Sequence, residues 1–167
     1  MRCLVLLAVV SACDYVYDLE RPPPSCPREY GRVDGREYLR INGAFTWQEA
    51  SERCETTRGS FLGYTHLAIV DDENELAAIR DEYTPTPMWL GHIDLAVEGT
   101  FVPITTQDVV LPSGTPPWNT DQPNDLDPGQ DCVHLDNMGL LDDKSCTTDV
   151  FDALCECDAF PLRGSVL

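Results

Sequence analysis

Apolar residues recur at helical spacing directly after Thr46. Trp47 and Cys54, with an alanine between them, fall on one face of a helix. Thr46 and Glu49 form the T-x-x-E sequence in which a hydroxyl and a carboxylate cap the start of a helix. The pattern predicts a helix from about Trp47 to Thr57, with Cys54 pointing inward toward a partner.

A second helix start follows at Asp72, where Glu75 again lies three residues ahead. Pro85 should end this helix, because proline disfavours helical geometry in the residue before it. The apolar stripe of the helix consists of Leu76, Ile79 and Tyr83.

Short apolar runs elsewhere are typical of strands. The stretch over 102–127 differs from them, because it is rich in proline and lacks long apolar runs. It predicts a long irregular excursion, which in a compact domain is usually functional or disordered. The predicted strands cover short alternating stretches over 29–45, interrupted by Gly31, Gly35 and Gly43, and the runs 66–70, 88–90, 133–135 and 153–155.

The first residues, MRCLVLLAVVSAC, have the layout of a signal peptide, with one arginine, an apolar run and then small residues. The sequence VSAC at 10–13 resembles the bacterial lipobox, which predicts a signal peptide over 1–12 and a lipid on Cys13. The alternative is an ordinary secretory signal that ends near a cysteine. Both predict export to an oxidising compartment. With the lipid, the chain would be anchored at the cell envelope or surface and would touch the membrane only there; otherwise it would be secreted. Residues 13–27 form a proline-rich linker.

The formal charge of −18 comes from 29 acidic and 11 basic residues. Such a surface would repel nucleic acid, so we expect no nucleic-acid partner. The segment 122–157 concentrates aspartates, side-chain amides and four cysteines. Carboxylates do not converge at neutral pH unless a cation holds them, so this segment predicts a calcium-organised loop region framed by disulfides.

The chain has eight cysteines, and six remain when Cys3 is removed with the signal and Cys13 carries lipid. Six cysteines allow fifteen pairings, which spacing alone cannot sort. A zinc site is disfavoured, because Cys155 and Cys157 have C-x-C spacing and no second clustered pair accompanies them.

The sequence contains no catalytic motif of the G-x-S-x-G or H-E-x-x-H type and no phosphate-binding glycine loop, so we expect no enzyme. The adjacent acids Asp142 and Asp143 do not suit glycoside hydrolysis, which needs two carboxyls across a bond. His66, His92 and His134 are scattered, which is typical of packed or surface histidines.

Four segments, in this order and spacing, resemble the landmarks of a C-type lectin-like domain. They are TWQEASERC, THLAIVDDENE, MWLGHID and the tail QPN…DCVHLDN…LDDKSC…ALCE. The resemblance covers about Cys26 to Cys157 and places the domain at 28–158, with a short tail at 159–167. It implies a C-type lectin-like fold of the α+β class, with two helices, small antiparallel sheets and a long calcium-binding loop region.

The resemblance also implies two disulfides, Cys54 with Cys155 and Cys132 with Cys146. Two cysteines are then left, one at each end of the domain. Because the ends lie side by side in this fold, we expect these two, Cys26 and Cys157, to pair.

The carbohydrate-recognition domains of mannose-binding proteins, which this chain resembles, imply two groups of calcium ligands. The first set is Asp94, Glu98, Asp125, Gln130 and Asp131. The second set, which in lectins of this kind also binds carbohydrate, is Gln122, Asn124, Gln130, Asp142 and Asp143.

Three departures from the family pattern concern the second set. The motif QPN stands between the mannose-type EPN and the galactose-type QPD, Gln130 replaces a glutamate, and Leu141 replaces the tryptophan of WND. Fewer charges predict weaker calcium binding. Pro123 should be in the cis form, which would aim the flanking amides at one point. Trp118 could stack on a sugar or pack against its own loop.

The resemblance implies a calcium-dependent carbohydrate-binding module whose partner is a glycan or surface glycoconjugate. The alternative is an adhesion module that recognises a protein, in which calcium fills only the first set and stabilises the loops. The replacements at Gln122 and Gln130 favour the alternative.

Overall fold

A computed structural model describes residues 25–57, 63–111, 117–126 and 129–164. The predicted signal peptide, Cys13 and most of the linker lie outside the described residues. Within the described ranges no helix has the length and apolarity needed to cross a membrane.

Two helices form where the capping patterns predict them. Helix α1 spans Trp47–Thr56, with Thr46 as its N-cap and a reciprocal bond from the Thr46 N–H to Glu49 Oε2 at 2.9 Å. Helix α2 spans Glu73–Tyr83 and ends two residues before Pro85. The Asp72 carboxylate caps α2 by accepting from two backbone N–H groups of the first turn. Trp47, Ala50 and Cys54 of α1 are buried, as predicted.

Eight strands join into one hydrogen-bonded network among the described residues. Their order is β1-β2-β8-β4-β6-β7, with β3 added to β8 and β5 to β4. All strand pairs are antiparallel except β4 with β8, which are parallel. The antiparallel sheets expected from the resemblance are therefore connected through β8. The strands are β1 Gly31–Val33, β2 Arg36–Phe45, β3 Tyr64–Leu67, β4 Met88–Ile93, β5 Val102–Pro103, β6 Cys132–Leu135, β7 Leu141–Lys144 and β8 Phe151–Asp158.

Strand β3 begins earlier and ends earlier than the predicted run over 66–70. Ile69 is buried like a strand residue, but its N–H donates to the Glu156 side chain at 3.0 Å instead of to a neighbouring strand. The prediction followed hydrophobicity, and the buried residues continue beyond the last residue that pairs with β8. The predicted strand was therefore too long at this end.

The core has two parts. One contains Tyr38, Leu76, Ile79 and Trp118, and the other contains Trp47 and Trp89 with the disulfides near the chain ends. The indole N–H of Trp47 donates to Leu90 O at 2.8 Å, and that of Trp89 to Phe45 O at 2.7 Å. Both buried tryptophans therefore fix β4, from whose end the site begins.

All three predicted disulfides are confirmed. Cys54 pairs with Cys155, Cys132 with Cys146, and Cys26 with Cys157. The last bridge joins the two ends of the domain.

The residues after β8 are not a loose tail in the part that the structure describes. Thr106 N donates to Pro161 O at 2.9 Å, and Arg163 N donates to Ile104 O at 2.8 Å. The Arg163 guanidinium also donates to Gln107 O at 2.8 Å. Residues up to 164 therefore clamp the segment that follows β5, a contact that the sequence did not predict.

Candidate functional site

Three segments meet at one end of the sheet: the turn after β4, the loop over 117–131 and strand β7. The Asp94 N–H donates to Asp131 O at 3.2 Å, which joins the turn after β4 to the start of β6. Asn119 N donates to Leu141 O at 2.8 Å and anchors the loop to β7. The fold thus places both predicted sets on neighbouring segments.

Asp94 is the most buried acid of the first set. Its side chain is only 2% exposed, Oδ2 accepts from the Gly99 N–H at 2.8 Å, and buried Oδ1 has no hydrogen-bond partner. Burial raises the pKa of Asp94 to about 6; the Gly99 bond opposes the rise, and the charges of Glu98 and Asp131 add to it. A nearby cation would relieve this carboxylate.

Two other members of the first set, Asp125 and Gln130, bind backbone N–H groups of the loop in which they lie. Asp125 Oδ1 accepts from the N–H groups of Gly129 and Gln130 at 3.1 and 3.2 Å. Gln130 Oε1 accepts from the Leu126 N–H at 2.9 Å. In the described part of the chain no three His, Cys, Asp or Glu side chains lie within reach of one metal ion. The first set is therefore gathered only in part, around Asp94.

The Gln122–Pro123 bond is cis, as predicted. The two flanking amides differ in their surroundings. Gln122 Oε1 is buried and has no hydrogen-bond partner, whereas Asn124 Oδ1 accepts from the Leu126 N–H at 2.9 Å. Of the two flanking amide oxygens, that of Gln122 is therefore unsatisfied and that of Asn124 is bonded within the loop.

Asp143 holds this loop in place. The residue is 1% exposed, and its carboxylate accepts from the Asn124 N–H at 3.1 Å and from the Asp125 N–H at 2.8 Å. Asp125 has a positive φ of 40°, which a non-glycine residue adopts only when its surroundings impose it. Asp143 supplies part of that constraint.

Asp142 has a different partner. Its Oδ2 lies 2.7 Å from the Lys144 ammonium, and its Oδ1 is buried without a hydrogen-bond partner. Lys144 is the only lysine of the sequence. Residues two apart on a strand share a face, which brings these two side chains together.

A family model described as "Lectin C-type domain" matches residues 44–157, more than half of the chain. The chain belongs to the C-type lectin domain family. Members of this family are binding domains and not enzymes, in agreement with the sequence prediction.

This C-type lectin domain is 25% identical over 131 residues to the mouse low affinity immunoglobulin epsilon Fc receptor. The match covers 78% of this chain, and the chain spans only 37% of that relative.

Two solved structures share the fold. The cow C-type carbohydrate-recognition domain of CD23, crystallised in the presence of GlcNAc2Man3 oligosaccharide, has a TM-score of 0.64 at 22% identity, over 85% of this chain and 99% of that chain. The C-type lectin CEL-I from Cucumaria echinata has a TM-score of 0.67 at 20% identity, over 80% of this chain and 97% of that chain.

The two predicted sets of this C-type lectin domain differ in how well they suit calcium. The first set contains a buried carboxylate oxygen without a partner and further acids beside it, which fits a hard cation that prefers oxygen ligands. In the second set Asp142 already faces an ammonium and Asp143 already binds backbone N–H groups. As arranged here, the charge of Asp142 is compensated by an ammonium of the chain itself.

Sequence reasoning missed two residues of this C-type lectin domain. Lys144 was not among the predicted site residues because it has no oxygen ligand, although its spacing from Asp142 places both side chains on one face of a strand. Asp136 was the other: its Oδ2 accepts from the Asn119 side chain at 2.8 Å, and its Oδ1 accepts from two backbone N–H groups of its own turn. Trp118 is buried against Phe101, with ring centroids 4.9 Å apart, so it belongs to the core.

Proposed function

We propose that this chain is a carbohydrate-binding domain whose loop region is stabilised by calcium at the first set. The observation that carries the calcium part is the buried, unpartnered Asp94 oxygen beside the charges of Glu98 and Asp131. Family membership and the oligosaccharide named with the cow structure support the carbohydrate part.

The first set would hold calcium through Asp94, Glu98, Asp125, Gln130 and Asp131. A bound calcium ion would neutralise these carboxylates. Because Asp94 N bonds to Asp131 O, the same residues also tie the turn after β4 to the start of β6. Stabilising this junction would hold the long loop against the sheet.

The second set would bind sugar hydroxyls. Gln122 Oε1 and Asp142 Oδ1 are acceptors without partners, and Lys144 is a donor. A sugar hydroxyl both donates and accepts, so it suits such a combination. Asn124, Gln130 and Asp143 would act mainly by shaping the loop, since their side chains bond to its backbone.

The calcium part is tested by unfolding in urea, with calcium and with chelator. We expect calcium to stabilise the oxidised wild-type protein by about 2.7 kcal/mol at one hundred times its Kd. Asp94→Asn should abolish that gain. Asp108→Asn is the matched control, because Asp108 is an exposed acid outside both sets. Equal calcium stabilisation of wild type and Asp94→Asn would contradict the assignment.

The carbohydrate part is tested on a glycan array, with and without chelator. We expect glycan signals that weaken when calcium is removed. Absence of any signal from properly oxidised, calcium-loaded protein would count against carbohydrate binding.

A protein-recognition module is the second candidate. Leu126 at the loop tip is 79% exposed, and Val97 in the turn after β4 is 62% exposed. A protein partner would remove these two apolar side chains from water. A silent glycan array, together with calcium stabilisation that Asp94→Asn removes, would favour this candidate.

We also propose an extracellular setting, because three disulfides form only in an oxidising compartment. The signal peptide and the lipid on Cys13 stay predictions from the sequence. The mass of the mature N-terminal peptide would test them, since a lipidated Cys13 and an unmodified cleaved end differ in mass.

A further inference from the structure

The single lysine of this acidic chain lies against Asp142, a member of the second set. Lys144 Nζ is 2.7 Å from Asp142 Oδ2, and the side chains of the two residues are 25% and 13% exposed. A pair so far removed from solvent is screened less than a surface pair. The position of the lysine therefore matters for what else can bind Asp142.

A metal ion bound here would compensate the charge of the carboxylates and fix the loop. Groups of the chain itself already do both. The Lys144 ammonium compensates the charge of Asp142. The backbone N–H groups of Asn124 and Asp125 bind the Asp143 carboxylate and fix the loop around the cis bond. Neither role is left for a second calcium ion.

We propose that Lys144 is the resident counter-ion of the second set, which is therefore a metal-free site that contacts its ligand by direct hydrogen bonds. Calcium could bind there only by displacing the ammonium from Asp142. The proposal rests on the proposed function only for the identity of the ligand, a polyhydroxylated sugar; the statement about calcium stands apart from it.

Calorimetric titration with calcium alone tests this, in a background where the first set is disabled. Asp94→Asn should bind calcium at least about tenfold more weakly than wild type, which should bind one equivalent. Adding Lys144→Met to Asp94→Asn should restore one equivalent, because methionine keeps the apolar stem and removes the charge. Adding Lys144→Arg should not, since the charge remains.

A control uses a second ion pair between β2 and β8. Arg40 Nε lies 2.9 Å from Asp152 Oδ2, away from the loops. Arg40→Met in the Asp94→Asn background leaves the Asp152 carboxylate without its arginine, at a place outside the second set. No calcium binding should therefore appear. Near-ultraviolet circular dichroism would establish that each variant is folded, and Lys144→Gln replaces Lys144→Met if the latter is not.

Three results would overturn the proposal. The first is that the wild type binds two equivalents of calcium. The second is that neither Lys144→Met nor Lys144→Gln restores calcium binding in the Asp94→Asn background, and the third is that Lys144→Arg restores it equally well. Glycan binding does not enter these titrations. A silent glycan array together with a gain in the Lys144→Met titration would reject the proposed function and leave the resident counter-ion standing.

Discussion

Two buried histidines show how much the surroundings of one residue decide. His66 and His92 are both fully buried. The ring nitrogens of His66 lie 2.9 Å from Leu67 O and 3.1 Å from Asp158 Oδ1, whereas neither nitrogen of His92 has a hydrogen-bond partner. An unsatisfied buried polar group destabilises the folded state.

We therefore predict that His92→Leu stabilises the protein by about 1–3 kcal/mol at neutral pH. His66→Leu is the matched control and should destabilise it by a similar amount, since it removes both hydrogen-bond contacts of a buried ring, those with Leu67 O and Asp158 Oδ1. Urea unfolding of both variants measures the difference. Destabilisation by His92→Leu as large as that by His66→Leu would contradict the prediction.

The same residue gives a pH dependence. Burial lowers the pKa of His92 from 6.5 to about 3. Below about pH 6.5 the unfolded chain takes up a proton at His92 that the folded protein does not. His92 therefore adds no pH-dependent loss of stability above that pH, and it lowers the stability of the fold increasingly as the pH falls toward 3. His92→Leu should lose less stability than wild type between pH 7 and pH 5.

At the scale of elements, a buried acidic cluster joins β2, β8 and the start of α2. Glu75 and Glu156 are 3% and 2% exposed. Tyr38 donates to Glu75, and Arg36 Nη1 lies 3.2 Å from Glu75 and 3.9 Å from Glu156. Burial, and then the charge of Glu75, raise the pKa of Glu156 well above its ordinary value. The partly exposed guanidinium of Arg36 thus lies within ion-pair distance of both buried carboxylates.

We predict that Glu156→Gln is more stable than wild type at pH 8, by about 1.4 kcal/mol for each unit by which burial raises the pKa. Above the ordinary carboxyl pKa the folded protein holds a proton that the unfolded chain has lost, so wild-type stability falls as the pH rises through the raised value. The advantage of the variant should shrink toward pH 5. Urea unfolding from pH 5 to pH 8 measures it.

Glu52→Gln is the control, because Glu52 is an exposed acid on α1. Its effect on the free energy of unfolding should be small. A Glu156→Gln variant that is less stable than wild type at pH 8 would show that the Ile69 N–H bond to the carboxylate outweighs burial.

For the whole molecule, two disulfides should differ in what they stabilise. Cys26–Cys157 closes a separation of 131 residues between the chain ends, and Cys132–Cys146 closes 14 residues around β6 and β7. From loop-closure entropy, replacing both cysteines by serine should remove more than about 4 kcal/mol in the first case and about 3 kcal/mol in the second.

Only the second replacement should also weaken calcium stabilisation, because Cys132 directly follows Asp131, a member of the first set. Urea unfolding with and without calcium separates the two effects. An equal loss of the calcium response in both variants would contradict this division of roles.

The sequence predicted best what depends on local signals or on family landmarks. The two helices followed from their caps, and the disulfides and the cis bond at Pro123 followed from the resemblance. The loop interior could not be predicted, because many carboxylates there compete for the same backbone N–H groups. The Asp143 carboxylate accepts from the N–H groups of Asn124 and Asp125. Which carboxylate does so depends on packing and not on composition. The docking of Arg163 likewise has no local signal.

Having one lysine has a practical consequence for anyone who handles this protein. Among its side chains, reagents that acylate primary amines have a single target, and that target is Lys144 beside Asp142. Immobilising the protein on a sensor chip through lysine would attach it by the face whose binding is to be measured. The same selectivity makes acylation a reporter, because a ligand seated against the second set should protect Lys144 from the reagent.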